Sequence, residues 1–123
     1  MNEQSSLFPL LTEAVKTEDL IERKDGLYYK KYARVPFTGV SVYENHMYED
    51  MEFLTLVPEF HLHQYKNGQL HGSWLFFENG LLRFKQKYKE GNRHGLFKYY
   101  DEMGHLTRFE IWKNEELVYN YER

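Results

Sequence analysis

Tyr65-Lys66-Asn67-Gly68-Gln69-Leu70-His71-Gly72-Ser73-Trp74-Leu75-Phe76-Phe77 recurs as Tyr88-Lys89-Glu90-Gly91-Asn92-Arg93-His94-Gly95-Leu96-Phe97-Lys98-Tyr99-Tyr100. Each copy runs from a tyrosine through two spaced glycines to an aromatic cluster. A third copy opens at Trp112-Lys113-Asn114. The three starts lie 23 and then 24 residues apart. A period of this length comes from stacking one supersecondary unit on the next. The chain is therefore read first as a small scaffold that presents a surface, and only second as a catalyst.

Each copy decodes as a hairpin. In the first, strand Gly72–Phe77 reaches Glu78-Asn79-Gly80 and returns over 81–89. Asn-Gly suits a type I′ turn, which needs positive φ at both central residues. In the second, the turn Asp101-Glu102-Met103-Gly104 is one residue longer, which explains the longer second period. The glycines at 68, 72, 91 and 95 mark bends or close approaches of backbone. Alternation puts Trp74 and Phe76 on one face, with Phe97 and Tyr99 at the matching repeat positions. Leu75 and Phe77 point the other way, among the mixed set Ser73, Leu96, Lys98 and Tyr100. The uniformly aromatic face is the expected core. On the return strand Leu82, Phe84 and Tyr88 share a parity, and Arg83, Lys85 and Lys87 suit a wet face.

Working outward, residues 25–123 read as the repeat domain and 1–24 as a helical segment of the same single domain. Leu7, Leu10, Leu11, Ala14 and Val15 fall at helical spacing. Ser6 suits its cap, and Pro9 its first turn. A second helical turn is expected from Thr17, ending near Asp25-Gly26. Leu27–Tyr32 and Phe37–Tyr43 read as strands of a degenerate first repeat over 27–46. The distance from Gly39 to Gly72 is 33 residues, so about ten are extra and fall within 47–64. A strand ending at Gln64 is expected there, interrupted near Pro58.

Composition narrows the function classes. The 123 residues suit one domain, and 41% hydrophobic with 18% aromatic content is too rich for a disordered chain. A formal charge of −3 gives no general excess for neutralising phosphates, which disfavours nucleic-acid binding. The absence of cysteine excludes disulfides and thiolate metal sites. No positively charged leader or apolar run of about 18 residues is present, so a membrane role is disfavoured and a cytoplasmic protein is expected.

At these residues the chain resembles the MORN repeat variant of bacterial proteins. Tyr65, Gly68, Gly72, Trp74, Phe77 and Gly80 match its pattern once, and Tyr88, Gly91, Gly95, Phe97, Tyr100 and Gly104 match it again. Asp25-Gly26-Leu27-Tyr28-Tyr29-Lys30 followed by Pro36-Phe37-Thr38-Gly39 is similar to the opening segment of such proteins. The likeness covers roughly 25–115 and departs at His46, at Glu115 and over 47–64. It implies tandem antiparallel β-hairpins in one elongated twisted sheet. It also implies a role as an antitoxin or immunity protein, or as a structural or membrane-associated scaffold.

Among chemical candidates, His61 and His63 lie on one strand face and form a usable metal-ligand pair. The simpler reading is an exposed strand with two polar residues, since no third ligand is evident, and no metal or cofactor is expected. His71 and His94 share a repeat position before a glycine, which points to a structural role in the turns. His105 is expected in solvent. No P-loop, nucleophile elbow, dinucleotide fingerprint or HExxH motif appears, so no enzyme is expected. Lys85, Lys87, Lys89 and Arg93 form a local basic patch. With exposed apolar neighbours it would suit a membrane surface.

The mainly β fold, with its N-terminal helix, is thus expected to bind and occlude a cognate protein toxin. Glu44, Tyr48, Glu49, Asp50, Glu52 and Glu59 are the expected contact residues, because carboxylates would steer a cationic partner. The strand near Trp112–Tyr121 is expected to leave an open edge, through which two copies could pair.

Overall fold

The computed structural model describes residues 14–45 and 59–123. Eleven strands run β1 (Val15–Lys16), β2 (Leu20–Glu22), β3 (Tyr28–Lys30), β4 (Gly39–Asn45), β5 (Glu59–Lys66), β6 (Gln69–Glu78), β7 (Leu81–Lys89), β8 (Asn92–Arg93), β9 (Gly95–Tyr100), β10 (Leu106–Lys113) and β11 (Glu116–Glu122). Nine of them form one sheet in the order β1-β4-β5-β6-β7-β9-β10-β11, with β8 pairing β7 beside β9. Every pairing is antiparallel except β1 with β4, which is parallel. β2 and β3 make a separate two-stranded sheet.

Local backbone chemistry sets this meander. Asn79 and Gly80 both have positive φ, 55° and 76°, as a type I′ turn requires. The repeat openings prove to be turns of the same kind. Asn67 and Gly68 have φ of 51° and 82°, Glu90 and Gly91 51° and 85°, and Asn114 and Glu115 49° and 72°. Each repeat thus has a tight turn at both ends.

Consecutive units are stitched at one end of the sheet. Phe37, Leu70 and Arg93 carbonyls accept the N–H groups of Gly68, Gly91 and Glu115 at 2.7, 2.8 and 2.9 Å. The residues just after those three carbonyls cap the preceding turn position. Thr38 Oγ1 accepts the Asn67 N–H at 2.9 Å. His71 Nδ1 accepts from Glu90 and His94 Nδ1 from Asn114, both at 3.2 Å. The repeated histidines therefore fasten turns, as their shared position suggests.

Glu115 stands where the other copies have glycine, at a φ that suits glycine better. Its carboxylate accepts the Arg93 N–H at 3.0 Å and Arg93 Nε–H at 2.9 Å. These bonds, the backbone one first, hold the carboxyl below its usual pKa. Glu115→Ala keeps the backbone strain and loses the bonds, so it should melt below the parent. Glu115→Gly loses the bonds but relieves the strain, so it should melt above Glu115→Ala in thermal unfolding.

The N-terminal helix is corrected. Ala14–Lys24 contains no α-helix, only a 3₁₀ turn at Thr17–Asp19 between strands β1 and β2. The rest of the expected helix lies outside the described residues. β1 finds its backbone partners on the edge of β4, and β2 finds them on β3. Leu20, only 8% exposed, packs with Phe37 and Tyr65. Long-range pairing of β1, hairpin pairing of β2 and burial of Leu20 thus override the helical spacing. The degenerate first repeat is likewise split, because β3 belongs to the small sheet and β4 to the large one.

The core face is also corrected. Val40, Leu62, Leu75 and Phe77 are 8, 2, 5 and 1% exposed and pack with Ala14, Val42, Phe60 and Leu82. This is the face opposite Trp74 and Phe76, which are only half-buried. A register shift between Phe76 and Phe77 contributes. Phe76 pairs Phe84 while Phe77 pairs Leu82, so Leu82 and Phe84 lie on opposite faces despite their parity. Arg83, at that step, donates to the Tyr100 carbonyl at 3.0 Å and pairs with Glu78.

Candidate protein-interaction surface

The face opposite the aliphatic core is a continuous aromatic strip across six strands. The cross-strand row Tyr43, His61, Phe76, Phe84, Tyr99 carries it from β4 to β9, and Ser41, His63, Trp74, Gln86 form the row beside it. Neighbouring rings touch along its length. Centroid distances are 6.0 Å for Tyr43–His61, 4.5 Å for His61–Phe76, 5.4 Å for Phe76–Phe84 and 6.2 Å for Phe84–Tyr99. A branch runs through Trp74, Tyr88, Phe97 and Trp112 at 6.1, 5.7 and 5.7 Å. Such pairs add stability beyond the area they bury. Phe97 is 2% exposed, Tyr43 is 46% exposed, and the others are half-buried.

Polar groups are threaded between the rings. Tyr88 hydroxyl donates to Gln86 Oε1 at 3.1 Å, and Gln86 Nε2 donates to the Tyr99 hydroxyl at 3.3 Å. Tyr99 hydroxyl and Trp112 Nε1 both donate to Glu110 Oε1, at 3.3 and 3.0 Å. The Arg108 guanidinium lies 3.9 Å from the Tyr99 ring centre, and that of Arg93 lies 4.4 Å from Trp112. Glu110, Arg108 and Trp112 alternate along β10, a signal that parity could have exposed. The bulge in the β9–β10 register hides how Arg108 meets Tyr99.

His61 and His63 are embedded in this strip. His61 Nδ1 accepts the Trp74 indole N–H at 2.9 Å. Ser41 Oγ lies 3.4 Å from His63 Nδ1 and accepts from Thr17 Oγ1 at 2.8 Å. Ser41 is fully buried, so this serine–histidine contact cannot meet a substrate and instead ties the 3₁₀ turn to β4 and β5. Among the described residues no group of three or more potential ligands could hold a metal ion.

Burial, and then the His61 charge, push the His63 pKa from 6.5 to about 4. Burial also lowers that of His61. Between those values the unfolded chain binds more protons than the folded one, so stability falls as the pH drops from 6.5 toward 4. The contribution of His63 at the acid end is roughly 3 kcal/mol. Urea midpoints should therefore fall on acidification across this window, and His63→Gln should flatten the slope.

Of the expected contact residues, Glu44 is next to the last residue of β4 and Glu59 is the first of β5. Glu44 pairs Phe60, and Glu59 pairs Glu78 across the next strand. Tyr48, Glu49, Asp50 and Glu52 lie outside the described residues, as do His46 and Pro58. The far edge strand, β11, ends the sheet, and all seven of its residues are exposed. His105 is 68% exposed in its side chain. Among the described residues no helix is long and apolar enough to cross a membrane. No protein-family model, no curated protein and no solved structure matches this chain.

Proposed function

We propose that this chain is a protein-binding module that occludes a cognate protein toxin, as an antitoxin or immunity protein, without chemistry of its own. The half-exposed aromatic strip supports this reading. Tryptophan, tyrosine and arginine are the residues that dominate binding energy at protein interfaces, and here all three share one face. Their hydrogen bonds and mutual ring contacts hold the side chains in place, which lowers the entropy lost on docking. Glu59, two residues before His61 on β5, stands at one end of the strip, where it would steer a cationic partner, while Glu44 alternates to the opposite face with Val42.

A scaffold or membrane-surface role of MORN type is the second reading. It is supported by the other face, where Lys85 lies directly across from Lys98 and exposed Leu96, Ile111, Tyr119 and Tyr121 follow toward β11.

Co-expression with the product of the adjacent gene tests the first reading, scored by growth rescue and co-purification. A complex of fixed stoichiometry is expected. Tyr43→Ala should weaken it about tenfold, while Tyr119→Ser on the opposite face should not. A harmless neighbour, or no complex, would leave the scaffold reading in front.

A further inference from the structure

Tyr32 stands in the left-handed region with φ of 66°, a conformation that costs a bulky side chain stability. It is the third residue of a turn in which the Lys30 carbonyl accepts the Ala33 N–H at 3.0 Å. With positive φ at that place alone, the turn is of type II, where glycine is the usual third residue. The ring gains no burial in exchange, since Tyr32 is 87% exposed. Strain kept at a side chain the fold does not bury is characteristic of a residue used for binding.

The surrounding loop is a fixed projection. Its neck closes where the Phe37 N–H donates to the Tyr28 carbonyl at 2.8 Å, and Phe37 is anchored in the core with Leu20 and Tyr65. Pro36 stiffens the returning arm. Beyond the neck, Lys30, Lys31 and Arg34 are exposed, and Val35 is 71% exposed. The Lys31 ammonium lies 5.2 Å from the Tyr32 ring centre. From Tyr28 to Tyr43 the chain holds no aspartate or glutamate, although its net charge is −3. The ion pairs among the described residues do not involve these three cations. The loop is thus a basic tip with one outward ring.

An anionic bilayer and an acidic protein pocket both carry the complementary charge. The strained turn separates them. A fluid bilayer accepts a ring in any pose, so a fixed turn gains nothing there. A protein pocket has one shape, and a ring already held in place loses less entropy on docking. A pocket of about 530 Å³, lined by Lys30, Val35, Pro36 and Asn67 among others, also opens beside the loop, and a folded partner can fill it. We propose that the 30–35 loop inserts Tyr32 into an acidic pocket of the protein partner, with Lys30, Lys31 and Arg34 facing carboxylates at its rim. The proposal rests on the toxin-binding reading and deepens it. The loop precedes β4 at Gly39, whereas Glu59 lies across from Asn45 at the other end of that strand. Opposite charges at the two ends of one hairpin orient a partner along it.

Calorimetric titration of the full chain with the product of the adjacent gene, at low and high salt, tests it. Tyr32→Gly should raise the Kd about tenfold. The same variant should raise the thermal midpoint, because glycine relieves the left-handed strain. Arg34→Glu should weaken the complex more at low salt than at high. Vesicles of phosphatidylcholine and phosphatidylglycerol form the second arm, and the parent chain should not pellet with them. A complex that both variants leave unchanged overturns the proposal while the toxin-binding reading stands. The absence of any complex with the parent overturns both. A lower midpoint for Tyr32→Gly, or vesicle pelleting that this variant abolishes, also overturns the proposal.

Discussion

Gly68→Ala should lower the unfolding free energy by about 3 kcal/mol, combining left-handed strain with overpacking. Gly68 has φ of 82°, and an added Cβ would sit 2.8 Å from Leu27 Cβ, 2.9 Å from Pro36 Cβ and 3.1 Å from the Tyr28 nitrogen. None of these can step aside as a flexible side chain would. The same residue donates its N–H to the Phe37 carbonyl at 2.7 Å and accepts the Tyr28 N–H at 2.9 Å. Its turn is therefore the point where the small N-terminal sheet is fastened to the repeats. Gly80 makes the control. Its φ of 76° is similar, but nothing lies within 4 Å of its Cβ position. Gly80→Ala should lose only the conformational part, about 1 kcal/mol. Urea unfolding of both variants measures the difference. Equal losses would mean that the N-terminal segment does not pack on the first turn.

The second large effect separates the two faces. Phe77→Ala should cost about 4 kcal/mol, the range for deleting a buried phenylalanine. Phe77 is 1% exposed, stacks on Phe60 at 4.9 Å and closes the cluster with Leu62 and Leu75. Phe76→Ala, one residue away on the aromatic strip, should cost about 2 kcal/mol, because its ring is only half-buried. Chemical denaturation of the pair gives the comparison directly. If Phe76→Ala proved the more costly, the aromatic strip would be the core, and it could not also be the surface for a partner. The expected order leaves that strip stable enough to present rings and loosely covered enough to use them.

The unequal faces also explain why the two readings of function sit on different surfaces. The strip joins rings to Gln86, Arg108 and Glu110, a mixture suited to a protein partner. The other face changes along the sheet, from the aliphatic cluster around Leu62 to the lysines and exposed tyrosines nearer β11.

Much of the architecture was legible in the chain itself. The repeat period, the Asn79-Gly80 turn and the glycines at fixed spacing are local signals, since positive φ and tight reversal are demands on one or two residues. The strand near Trp112–Tyr121 was expected at an edge, and among the described residues β11 is the last strand of the sheet. The shared position of His71 and His94 also foretold a turn role, because one repeat's capping bond must recur in the next. Three features were decided only in tertiary structure. Val15, Leu20 and Ile21 have helical spacing, yet they pair as strands, because β4 offers Val15 a backbone partner distant in sequence and burial of Leu20 against Phe37 and Tyr65 favours the local β2–β3 hairpin. Alternation separates Trp74 from Leu75, but it cannot say which face other parts of the chain will bury. The lowered pKa of His63 likewise arises from burial among strands, rings and a buried serine brought together from three separate stretches. Local conformation is a property of neighbours in sequence, whereas burial is a property of neighbours in space.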